Sequence, residues 1–133
     1  MPKTRVVFFK DKDGSVPYKT WLDTQVARRD RRAAMKCTVR LELLRDRGSE
    51  LRRPYADYLR DGIHELRLEF GGVNYRILYF FHGAEAVVVT HGLAKASKVP
   101  AREIDLAIER KGVFESDPGR HTYEEAQENL GRG

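Results

Sequence analysis

The sequence predicts an α+β fold, a single sheet with its helices packed on one face and the other face partly open. Residues 63–81 read as two apolar-rich strands split by Gly71-Gly72, a two-residue hairpin signal. Upstream, Ala34, Cys37, Leu41 and Leu44 recur at helical spacing. Downstream of Pro100, Ile104, Ala107 and Ile108 do the same.

The elements follow in chain order. Val6-Val7-Phe8-Phe9 is a short apolar strand, and Asp11 to Ser15 is a turn. Pro17 suits the first turn of a helix reaching Gln25, anchored by Trp21-Leu22. A second helix spans 28–47 and stops at Gly48. Residues 49–62 connect, with a short turn or strand at Tyr55–Leu59. Three antiparallel strands come next, then a helix from Pro100 to near Lys111. A loop is expected over 113–121. Thr122 to Leu130 fits a short helix, with Thr122 as its cap and Glu125 three places on.

A tight Gly71-Gly72 turn sets the register. It pairs Phe70 with Val73, Leu68 with Tyr75, Leu66 with Ile77, and Arg67 with Arg76. A Gly83-Ala84 turn of type II′ then puts Arg76 opposite His91. One face would carry the row Arg67–Arg76–His91 and the other Leu66, Leu68, Phe70, Tyr75, Ile77 and Tyr79. Like charges directly opposite each other destabilise a sheet. A cationic row therefore points to a bound anion, a phosphodiester first. The competing reading is a self-neutralised ladder facing water, because Glu65 and Glu69 alternate with Arg67.

The chain of 133 residues is one domain's worth, with a formal charge of +5. Residues 28–53 hold ten Arg/Lys against four acids, and residues 113–133 hold five acids against two Arg. A basic body suggests a polyanionic partner, nucleic acid before membrane. No apolar run is long enough to span a bilayer, and Met1 to Arg5 lacks the apolar core of a signal peptide. Cys37 stands alone, so no internal disulfide can form, and it is expected as a small core residue. A cytoplasmic setting follows. No His/Asp/Glu set stands at ligand spacing and no phosphate-loop motif occurs, so neither metal nor cofactor is expected. The folded domain is expected over 1–112, with 113–133 an acidic polar tail that folding does not need.

Three short stretches carry a resemblance over roughly residues 5–112. They are Gly62-Ile63-His64-Glu65-Leu66-Arg67, Asn74-Tyr75-Arg76-Ile77-Leu78-Tyr79-Phe80-Phe81, and His91-Gly92-Leu93-Ala94-Lys95-Ala96-Ser97-Lys98-Val99-Pro100, followed by Glu103-Ile104 and Ala107. Together they resemble the RelE/ParE superfamily of toxin–antitoxin toxins, in particular its phage-derived HigB-like branch. The resemblance implies a RelE-like fold: a strand and two helices, a three-stranded meander and a last helix. It implies a metal-independent, ribosome-dependent mRNA endoribonuclease that inhibits translation. Its partners would be a cognate antitoxin, expected to be a helix-turn-helix protein, together with ribosome and mRNA. The ParE branch inhibits DNA gyrase instead, and a non-catalytic RNA-binding module is a third reading. Arg76 matches a phosphate-contacting position, Arg67 a basic position on the preceding strand, and Lys95 the start of the basic cluster after the last strand. The chain departs from the pattern at Ala96, where a second lysine is common, and at Val99, which cannot cap a helix with its side chain. No tyrosine follows Lys95 where some interferases place one.

The chemistry can be argued from the residues alone. Attack of a 2′-hydroxyl on the adjacent phosphate needs a base, stabilisation of the developing charge, and a proton for the leaving oxygen. Arg67 and Arg76 on the basic row supply the charge stabilisation, and the resemblance adds Lys95. His91 falls on the row and suits proton transfer near neutrality. Glu65 is a second candidate base, or orients an arginine. RNA contacts are expected from Lys98, from Arg28, Arg32 and Lys36 on the basic helix, and from Phe80 by stacking. His64 is expected to be packed, His82 in a turn and His121 in the tail.

Overall fold

Val6–Phe9 are all buried, the pattern of a strand covered on both faces. They lie in β1 (Arg5–Phe9), which the computed structural model, describing residues 4–94 and 97–125, places inside the sheet. Strands β2 (Ala56–Arg60), β3 (Ile63–Phe70), β4 (Val73–His82) and β5 (Ala86–Ala94) run antiparallel in sequence order. β1 pairs with β5 in parallel and β6 (Thr122–Tyr123) closes the far edge, giving the order β2-β3-β4-β5-β1-β6.

Helix α1 (Pro17–Trp21) opens on its proline and widens into a π-helical turn, Leu22–Ala27. α2 (Arg31–Arg47) starts three residues later than expected, because the Asp30 side chain accepts from the Arg32 N–H and caps it there. Its buried stripe is Ala33, Cys37, Leu41 and Leu44, with Ala34 only half-buried. These helices cover Leu66, Leu68, Tyr75, Ile77, Tyr79, Val87 and Val89. Trp21 lies so close over Gly92 that a Cβ there would land on its ring carbons.

Helix α3 (Ala101–Ser116) packs on the opposite face against Ile63, Leu78, Phe80 and Val88. This corrects the expectation of helices on one face only. Ile63, Leu78, Phe80 and Val88 make part of that face apolar too, so the sheet has a second surface to cover. α3 also runs past Lys111 to Ser116, since Phe114 extends its buried side. The boundary expected after residue 112 therefore falls inside a helix. His121 is buried as well, with Nδ1 bonded to the Lys10 carbonyl oxygen at 2.7 Å and its ring stacked on Phe9. Thr122–Tyr123 pair with the free edge of β1 instead of starting a helix. Residues 126–130 of that expected helix lie outside the described residues. Among the described residues, no helix is long and apolar enough to cross a membrane.

The β3–β4 register is the expected one, from Phe70 opposite Val73 to Arg67 opposite Arg76. Gly71 and Gly72 both adopt positive φ, as the tight turn demands. Asp61-Gly62 does the same between β2 and β3, an Asp-Gly signal that went unread in the sequence. The β4–β5 register differs from expectation twice. Its turn has three residues, 83–85, with His82 opposite Ala86, which inverts side-chain parity. Thr90 is then an extra residue, since Leu78 faces His91 while Tyr79 faces Val89, and this bulge restores the parity. Arg76 consequently stands opposite Leu93, and His91 occupies the same face one row away.

Candidate functional site

Strand β3 is longer than β2 and overhangs it. The Arg67 N–H reaches the Tyr55 carbonyl oxygen at 2.7 Å, where the pairing ends. Beyond that point the edge carbonyls of Arg67 and Glu69 need donors, and α2 provides them. Arg40 Nη1 donates to the Arg67 oxygen and Lys36 Nζ to the Glu69 oxygen at 2.6 Å. Both cations also lie over aromatic rings, Arg40 on Tyr55 and Lys36 on Phe70. With Pro54, Tyr55, Arg67, Asn74 and Arg76 they wall an open groove of about 320 Å³. Four cations meet there with a single wall carboxylate, Glu69, so the groove concentrates positive potential. Arg67 is half-exposed and has no ion pair among the described residues.

Arg76 forms the groove's deep end. Its Nε lies 3.1 Å from Glu65 Oε1, its Nη1 donates to the Tyr75 oxygen at 3.1 Å and its Nη2 to the Ser97 oxygen at 3.5 Å. Arg76 is 5% exposed and Glu65 8%. The Nε–H is poorly aligned on the carboxylate, so the pair is in ionic contact without a well-formed hydrogen bond. Burial pushes the Glu65 carboxyl above its ordinary range, and the charges of Arg76 and then Arg67 oppose that rise. The expected solvent-open row is thus corrected. Glu65 on the next strand and the backbone at Ser97 enclose Arg76, leaving Arg67 as the accessible member.

His91 does not line this groove. It is buried under α3, with Nε2 3.0 Å from Glu103 Oε1 and Nδ1 3.1 Å from Thr90 Oγ1. Burial lowers its pKa, the charge of Arg110 lowers it further, and the Glu103 hydrogen bond opposes both. Both ring nitrogens are occupied, which suits a residue that clasps α3 to the sheet. Phe80 is fully buried against Phe114, so the expectation that it stacks on a base is corrected: α3 covers its face. Lys98 and Arg28 are exposed. Arg32 is exposed but paired with Asp30 at 3.3 Å and set over Phe70. Lys95 lies outside the described residues. His64 is packed as expected, stacked on Tyr79, and burial lowers its pKa. Cys37 is buried and its thiol is pushed up to about 12. The sequence reading missed Arg40, Tyr55 and Asn74. Arg40 had a signal, since it follows Lys36 by one helical turn and shares its side of α2.

Together these residues give a small basic α+β domain a cationic groove at its sheet edge. The family described as Phage derived protein Gp49-like (DUF891) matches residues 25–112, and the chain belongs to that family. The family is toxin-like and associated with toxin–antitoxin systems, which implies an antitoxin partner in general terms. No curated protein matches the chain.

Proposed function

We propose that this chain is the toxin of a toxin–antitoxin pair and cleaves mRNA on the ribosome, as a HigB-like endoribonuclease. The observation that carries the reading is the groove, where Lys36, Arg40, Arg67 and Arg76 converge on a space that suits a phosphodiester. Fixed cations there meet the charge that develops as the 2′-oxygen attacks phosphorus. Glu65, raised toward neutrality by burial and touching Arg76, is the candidate base. His91 is assigned no proton-transfer role. With charge stabilisation supplied more fully than proton transfer, the site suits an enzyme whose substrate is already held in geometry by the ribosome.

The test is primer extension on translated mRNA with purified protein, with and without ribosomes. Cleavage only with ribosomes, lost in Arg67→Ala, is the expected result. Intact mRNA in both arms, alongside inhibited gyrase supercoiling, would reject this reading in favour of the gyrase one.

A further inference from the structure

A second cleft lies on the α2 side of the same sheet edge, and its walls are aromatic. Tyr58, on edge strand β2, is 55% exposed. Its position is nonetheless fixed. The hydroxyl accepts from the Gly62 N–H at 3.1 Å, and the ring meets His64 edge-on at 5.1 Å. His64 in turn stacks on Tyr79 at 5.2 Å and meets Phe81 edge-on. These four rings line one side of a cleft of about 420 Å³, within the size range of small-ligand sites. The opposite side is Gly48, Ser49, Leu51, Arg52 and Arg53.

Three features select the ligand. Burial lowers the His64 pKa, which favours the neutral ring with one N–H and one acceptor, and neither nitrogen has a hydrogen-bond partner among the described residues. Tyr58 presents an open π-face. Arg53 is tied to Asp57 at 2.6 Å, but Arg52 is exposed and makes no ion pair among the described residues. A planar heteroaromatic group with hydrogen-bonding edges and an attached anion matches all three. Residues 52–58 also wall both sites. Arg52, Arg53, Ala56, Asp57 and Tyr58 face the cleft, while Pro54 and Tyr55 face the cationic groove.

We propose that this cleft is a base-binding subsite. An unstacked base of single-stranded RNA lies against Tyr58 and His64, with Arg52 on its phosphate, while the same strand continues over Pro54 and Tyr55 into the groove. This rests on the RNA reading given above, but it assigns a separate site that recognises the base rather than the phosphate.

The test compares the full chain's binding to a labelled RNA hexamer and to the same hexamer made abasic throughout. The wild type should bind the intact hexamer at least about ten-fold more tightly, the size of one base–aromatic stack. Tyr58→Ala should remove that preference while leaving abasic binding unchanged, whereas Arg67→Ala should weaken both. Ring protons of Tyr58 in the wild-type chain should also shift upfield on titration with adenosine monophosphate, a readout that needs no variant. Equal binding of the two hexamers, or a Tyr58→Ala variant that keeps the preference, overturns the subsite alone. Binding of neither hexamer overturns the RNA reading itself.

Discussion

Removing the Arg76 guanidinium should cost stability as well as activity. Arg76→Ala leaves the Glu65 carboxylate buried behind the groove without its nearest counter-charge. Breaking a buried pair from one side typically costs 3–5 kcal/mol, and the open groove argues for the lower end, about 3 kcal/mol. For a domain of this size that corresponds to a fall in Tm of roughly 10 °C. Arg76→Ala combined with Glu65→Gln should recover about half of the loss, since the stranded charge is gone. The pH dependence has a definite sign. Glu65 is already raised above its unfolded value, and losing Arg76 removes the largest opposing charge, so its folded pKa climbs further. A raised carboxyl binds more protons in the folded state, so stability is retained below about pH 4.5 and lost as pH rises through the folded value. The deficit of Arg76→Ala should therefore be small in acid and full by neutrality. Urea denaturation of the three proteins at two pH values measures all of this. If the single variant lies within about 0.5 kcal/mol of wild type, or the single and double variants are equally unstable at both pH values, the pair does not carry the energy assigned to it.

Other consequences are simpler to check. His91→Gln should lower stability by about 1–2 kcal/mol through its lost Glu103 and Thr90 contacts yet leave mRNA cleavage within a few-fold of wild type. Unchanged stability with activity down more than about a hundred-fold would restore it to the catalytic set. Phe114→Ala should cost about 3–4 kcal/mol in chemical denaturation, because the ring is buried against Phe80. A stability loss under about 1 kcal/mol would mean that α3's last turn is expendable after all. Cys37 should resist thiol reagents in the native state and react at the rate of global opening, measured by labelling in increasing urea. Fast native labelling would contradict its burial.

Much of this architecture could be read from the chain, for identifiable reasons. Gly71-Gly72 fixed a register because two consecutive positive φ angles leave few residue choices. Cys37 and Leu41 marked the inner side of α2 because helical periodicity is local. The reading failed where partners are distant. Nothing near Arg76 in sequence says that Ser97 will close over it, and nothing in Val87–Thr90 encodes which residue bulges. Arg40 joins the site only because β2 ends four residues short of β3, a length difference that becomes visible once the strands are paired. Phe80 looked like an available ring until α3 covered it.

The paired offsets in the β4–β5 hairpin mark where its length can change. The turn at 83–85 closes the pair His82–Ala86, so a turn one residue shorter that closes the same pair leaves every β5 side chain on its present side. Thr90 is the second such point. Without it Val89 and His91 would be neighbours opposite Tyr79 and Leu78, which are neighbours already, and the ladder would run on with His91 still facing Glu103. A residue lost from Val87–Val89 has no such slack, because the stretch between the gap and the turn or the bulge must change sides. Relatives should accordingly differ in length at 83–85 or at Thr90, and keep the count between those two points fixed.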